Sequence, residues 1–161
     1  DRWILSEFAS TMEKVETAWE NLDIYTATQA IKSFGTGVLP SHWLEMSKSR
    51  LYDGDTNAAW TIHRIVKDLM SAFSPVCPFF THYISNTLYE ISAVDIREFP
   101  TRTPDDESLR ALTGTIEEFN GATWRSKKES GLPLNAPIKG ITIPPDLEEF
   151  SSILTQMHRL E

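Results

Sequence analysis

Trp124-Arg125-Ser126-Lys127-Lys128 puts an indole and three cations on the last turns of a predicted helix. That helix stops at Gly131 and runs into a loop bounded by Pro133 and Pro137. Residues 119–140 hold four cations against one acid, whereas residues 141–161 hold one cation against four acids. The rest of the chain carries the whole net charge of -8. Arg125, Lys127 and Lys128 are therefore the place built to meet a negative partner, because phosphate binding rests on Lys and Arg. An acidic body with one basic patch suits a module held near RNA by larger neighbours better than a free-standing RNA binder.

A second group combines a ring with cations. Trp60, Arg64, Lys67 and Ser71 recur at helical spacing on the side of a predicted helix opposite Ile62, Ile65, Val66, Leu69 and Phe73. Trp60 either presents its ring to a ligand or packs sideways on a neighbouring helix. Arg64 and Lys67 either contact that ligand or form a solvated face.

Catalytic patterns are missing. His42, His63, His82 and His158 are far apart and fit no metal-ligand spacing. Asp105-Asp106 and Glu148-Glu149 sit at helix starts, where the helix dipole accounts for them. There is no G-x-S-x-G, P-loop or complete G-x-G-x-x-G motif. No metal site and no catalytic residue is predicted.

The elements that must position these residues read as helices. Leu5, Phe8, Met12, Val15, Trp19 and Leu22 form one stripe over residues 2–22, and Asp23 caps the next helix. That second helix runs from about Ile24 to Tyr52, with a kink or break near Pro40. The third spans roughly Thr56–Phe73, and Pro75 and Pro78 end it. A fourth starts near Pro78 and carries Phe79, Tyr83, Ile84, Leu88 and Tyr89. Val94, Ile96 and Glu98 alternate in an extended connector, and residues 101–104 form a loop. A fifth helix runs from Pro104 to about Ser130 and buries Leu109, Leu112, Ile116, Phe119 and Thr123, with Trp124 bordering that stripe. Ile138–Ile143 reads as a short strand without an evident partner, and Pro144-Pro145-Asp146 opens a last helix. The fold class is all-α: a helical bundle over 1–130 with a small mixed α/β tail over 131–161.

Cys77, the single cysteine, reads as a small buried hydrophobe and fits a reducing, cytoplasmic setting. No apolar run is long enough for a membrane span, and no signal peptide is evident. Asp1 begins inside a helical pattern, so the chain reads as a piece of a longer protein.

Several motifs in order carry a family resemblance. They are Asp1-Arg2-Trp3-Ile4-Leu5-Ser6, the run Tyr25 to Phe34 with Trp43-Leu44-Glu45 through Lys48, Phe73-Ser74-Pro75-Val76-Cys77-Pro78-Phe79, and the Ser92–Pro100 connector. Lys127-Lys128-Glu129-Ser130-Gly131-Leu132 with Leu134-Asn135-Ala136-Pro137 completes them. The chain resembles the anticodon-binding domain of the class I aminoacyl-tRNA synthetases for valine, isoleucine and leucine, and is most similar to the archaeal valyl branch. The interrupted stretch Gly35–Pro40 and His82, where the family has Glu, depart from the pattern. Met46-Ser47-Lys48-Ser49 looks like part of the KMSKS loop that holds ATP in these enzymes, but it sits in a helical pattern with Glu45 at the leading position.

The resemblance implies a tRNA partner, met at its anticodon stem-loop, and catalytic and editing domains in the same chain. ATP and Mg belong to that catalytic domain; this part needs no cofactor and performs no catalysis. The resemblance implies neither a membrane nor a DNA partner. Trp60 becomes the leading stacking ring for a splayed loop base, and Arg64 and Lys67 contacts to phosphate or base edges. Phe79 is a second ring, or else a core residue. Arg125, Lys127 and Lys128 become phosphate contacts. Rival readings are the isoleucyl or leucyl branch, a helical protein-interaction module, and a bundle enzyme with a carboxylate metal site, for which Glu-x-x-His pairs are missing.

Overall fold

The computed structural model describes residues 1–91, 99–100 and 104–161. Val94, Ile96 and Glu98 of the expected connector, and residues 101–103 of the loop, lie outside the described residues.

Helix α1 spans Arg2–Glu20 and buries Trp3, Ile4, Phe8, Met12 and Val15. It ends sooner than its apolar stripe suggests. Leu22 is 85% exposed and takes a left-handed φ of 57°. The Leu22 and Asp23 N–H groups bond back to the Trp19 and Ala18 carbonyls, so the helix closes as a Schellman motif with leucine in the usual glycine place. Asp23 then accepts from the Thr26 N–H and starts α2, Ile24–Ser33.

Of the expected kink or break near Pro40, the chain shows no break, but the regular α-helix is interrupted there. The chain continues through a π-helical segment, Phe34–Leu44, directly into α3, Glu45–Tyr52. Pro40 lacks the N–H that an α-helical turn needs, and the helix widens around it rather than stopping. Phe34, Leu39 and Trp43 still reach the core.

Helix α4, Thr56–Phe73, and helix α5, Pro78–Tyr89, form an antiparallel hairpin. Pro78 supplies the first turn of α5, where a missing N–H costs nothing. Cys77, just before it, is half-buried rather than a core residue. The expected fifth helix is two: α6, Glu107–Arg110, and α7, Thr113–Glu129. The turn between them lets Leu109 enter the core while the Thr113 hydroxyl accepts from Trp3 Nε1 at 2.8 Å.

The tail is helical too. A 3-10 turn over Pro145–Phe150 leads into α8, Ser151–His158. The expected strand 138–143 reduces to one parallel bridge, Ile138 with Leu160. Ile138 donates to the Arg159 carbonyl at 3.1 Å and accepts from Glu161 at 3.0 Å, so its partner is the end of this same chain. Leu147 and Leu154 join the core with Phe8, Ile65, Leu69 and Ile116. The all-α bundle therefore stands, without a β component beyond that bridge among the described residues. Among the described residues, no helix is long and apolar enough to cross a membrane.

Candidate nucleic-acid interface

Asp55 positions the first group by capping α4. Its carboxylate accepts from the Asn57 and Ala58 N–H groups at 2.8 and 3.2 Å. Trp60 then falls on the outer face of α4 and is 57% exposed. The cations beside it are engaged within the hairpin. Arg64 Nε donates to the buried Asp68 carboxylate, and Lys67 Nζ sits 4.8 Å from the centre of the Tyr89 ring. His63 Nδ1 meets the Tyr89 hydroxyl at 3.0 Å.

Phe79 is not in the core; it is 91% exposed, because Thr81 and Ser85 take the buried positions of α5. It lies at the opposite end of the hairpin from Trp60. Tyr89 marks the Lys67 end, and the run from Trp60 to Phe73 alone spans about 20 Å at 1.5 Å per residue. Phe80, Tyr83 and Leu88 are exposed on the same helix, which carries no Lys or Arg.

The second group is built by the end of α7. Gly131 has φ 68°, and the Gly131 and Leu132 N–H groups bond back to the Lys128 and Lys127 carbonyls at 3.1 and 2.8 Å. This Schellman closure throws residues 132–137 across the helix end. Arg125 and Lys128 are exposed beside Trp124 and Leu134, around a notch of about 430 Å³. Trp124 and Leu134 also line an adjoining open furrow of about 920 Å³, whose other bank carries Lys48 of α3 and Arg159 beyond α8. Lys48 pairs with Glu45, while Arg159 is exposed at a left-handed φ of 50°.

Lys127 does not belong to that surface. It is 0% exposed, and its Nζ donates to the Leu134 and His158 carbonyls at 2.7 and 2.8 Å. Burial, and then the Arg159 charge, push its ammonium below the ordinary lysine range. The helical repeat accounts for the burial: Ile116, Asn120, Thr123 and Lys127 fall on one stripe, and all are buried. The same spacing, read one turn beyond Thr123, would have identified it.

A polar network backs the furrow. His158 Nε2 donates to Asn120 Oδ1 at 2.8 Å, and Asn120 Nδ2 donates to His42 Nδ1 at 3.0 Å, with the amide orientation assigned from the network. Trp124 stands edge-on to His158, with ring centres 5.6 Å apart. Burial lowers the pKa of His42, against a smaller upward pull from Glu117.

The structure therefore sets Lys48 and Arg159, which sequence reasoning did not select, on a furrow adjoining the notch of Arg125 and Lys128. Arg159 had a signal: it is the single Lys or Arg of the acidic stretch 141–161. Lys48 was weighed as part of an ATP loop, but it lies in α3 beside buried Met46 and Ser47. The Trp60 and Trp124 groups do not merge. Helix α4 packs chiefly on α1, α2, α3 and α5, and α7 on the π segment and the 3-10 turn.

Comparison with known proteins agrees with this architecture. The family model for the anticodon-binding domain of tRNA ligase matches residues 1–142. The chain belongs to that family. This anticodon-binding domain is 35% identical over 152 residues to a valine–tRNA ligase of Methanothrix thermoacetophila, covering 92% of the chain. It is 30% identical over 141 residues to the valine–tRNA ligase of Saccharolobus solfataricus, covering 86% of the chain. The domain spans only 17% of the length of each of these two relatives.

Proposed function

We propose that this domain grips the anticodon arm of a valine tRNA as the RNA-recognition part of a cytoplasmic valine–tRNA ligase. On this reading, catalytic and editing domains of the same protein join valine to the tRNA with ATP and Mg, and the present residues do none of that chemistry. One observation carries the reading: Arg125 and Lys128 border a notch, and Lys48 and Arg159 an adjoining furrow, with the Trp124 indole lining both, on a chain whose net charge is -8. Cations so placed attract phosphate by counterion release. Trp60 and Phe79 offer open rings on which unpaired loop bases stack. Arg64 and Lys67, committed to Asp68 and Tyr89, steady the hairpin that presents Trp60.

Valine anticodons share their last two bases, A then C. The test is titration of the domain with labelled anticodon stem-loops carrying valine, isoleucine or leucine anticodons. Preferential binding of the valine arm is the expected result. Preference for another arm transfers the domain to that branch, and no binding to any arm overturns the reading. The uncharged aromatic face of α5 favours a second reading, docking of a protein surface, which would leave all three arms unbound.

A further inference from the structure

We infer that Lys127 is the positioning residue of the α7 furrow: without touching the ligand, it fixes the spacing of the two walls that RNA must span. The inference rests on the RNA reading above.

The geometry is that of a staple. Lys127 offers three N–H donors from a compact ammonium, and two go to carbonyls of different segments. Leu134 is in the furrow wall, and His158 immediately precedes Arg159 on the opposite bank. The Arg159 carbonyl in turn accepts from Ile138, just past the loop, and Glu161 donates back to Ile138. The loop is thus fixed at its start by the Gly131 closure, at its middle by Lys127 and at its end by Ile138. His158 is itself held from α7 by Asn120.

Two features point beyond mere packing. An apolar side chain would fill the site without the cost of burying a charge, so a retained ammonium specifies where two carbonyls must stand. Arg159 occupies a left-handed position where glycine would be less strained, in a Schellman closure made by the Arg159 and Leu160 N–H groups. That strain holds a cation at the furrow edge, next to the carbonyl that Lys127 binds.

The experiment pairs amide hydrogen exchange with stem-loop binding across a salt series. Lys127→Met removes both donors while keeping the stem. It is expected to speed exchange at Ile138 and Glu161 together by about tenfold or more, as both carbonyls lose their partner. Binding of the valine stem-loop weakens by a similar factor, with an unchanged slope of log affinity against log salt. Lys128→Ala gives the opposite signature: a shallower slope and unchanged exchange. A shallower slope for Lys127→Met would mean that Lys127 reaches phosphate, and unchanged exchange would mean that it staples nothing; either overturns the inference. Faster exchange with unaltered binding overturns it too, and locates the fault in the furrow as RNA surface. If Lys127→Met does not fold, Lys127→Arg keeps the charge but not the compact donor geometry. It is expected to shift both readouts in the same direction, and an Arg variant matching wild type in both would sink the inference.

Discussion

The Arg50 guanidinium clasps the Asp1 carboxylate with two donors, at 2.9 and 2.7 Å. Its third nitrogen donates to Asp55 at 2.8 Å. One side chain thereby locks the start of α1 to the start of α4, the helix that bears Trp60. Both members of the Arg50–Asp1 pair are largely sheltered, and the bond is bidentate, so it exceeds an ordinary surface pair. Arg50→Met is expected to cost about 1–2 kcal/mol, lowering Tm by roughly 3–6 °C. The Arg50 hydrogen bond, followed by the Ala58 N–H, holds the Asp55 carboxyl below its ordinary value of 3.8. In the variant, the Asp55 titration followed by NMR should move back up. A melt and titration identical to wild type would show that the clasp is idle.

His158 makes stability depend on pH. Burial, and then the Lys127 charge, lower its pKa from 6.5 to about 4. The folded value lies below the unfolded one, so the unfolded chain takes up the proton first. The stabilisation is complete above pH 6.5 and is lost as pH falls toward 4, by an amount on the order of 3 kcal/mol. The His158 Nδ1 is buried without a hydrogen-bond partner among the described residues, and the incoming proton would land there. An imidazole titration is the check; a His158 midpoint near 6.5 would contradict the buried, neutral ring.

Leu22 offers a gain. It contributes no burial and sits at a φ that glycine adopts freely. Leu22→Gly should raise stability by about 0.5–1 kcal/mol, the local strain outweighing the added freedom of the unfolded chain. Urea unfolding measures this, and a lower midpoint would mean that the strain is negligible.

The two kinds of RNA contact should separate in binding data. Arg125→Ala with Lys128→Ala should reduce the magnitude of the salt slope by about 1.5, the loss of two phosphate contacts. Trp60→Ala should weaken stem-loop binding by about 1–3 kcal/mol without changing that slope. A slope change from the Trp60 variant alone would show that its ring is not a stacking surface.

What the sequence makes legible here follows from how local the cause is. Helix α4 is read at its true ends because Asp55 caps it and the Pro75–Pro78 stretch closes it, all within a few residues. Gly131 is read as a helix end for the same reason, and the structure gives it the left-handed φ. The burial of Lys127 follows from the α7 stripe, but the His158 carbonyl that its ammonium meets is 31 positions away, which no local pattern contains. Leu22 misleads by chemistry, since an apolar residue at helical spacing reads as core while the backbone has already turned. Phe79 carries two readings by its type, open ring or core, and the structure leaves it open because the two small hydroxyl residues of α5 occupy the buried face. The furrow needs α3, α7 and α8 together, so it emerges only when the chain folds Lys48 and Arg159 opposite Trp124 and Leu134.

The widened helix from Phe34 to Leu44 works as a phase adjuster between two lengths of ordinary helix. Each residue of an α-helix turns the chain by about 100°, so deleting one residue there would swing everything downstream around the axis. Arg50 would then point away from Asp1, and Gln156, which donates to Ser49 at 2.8 Å, would face the wrong side of α3. Length in this stretch is therefore far less negotiable than its glycines and proline imply, and shortening it should disturb both ends of the bundle at once.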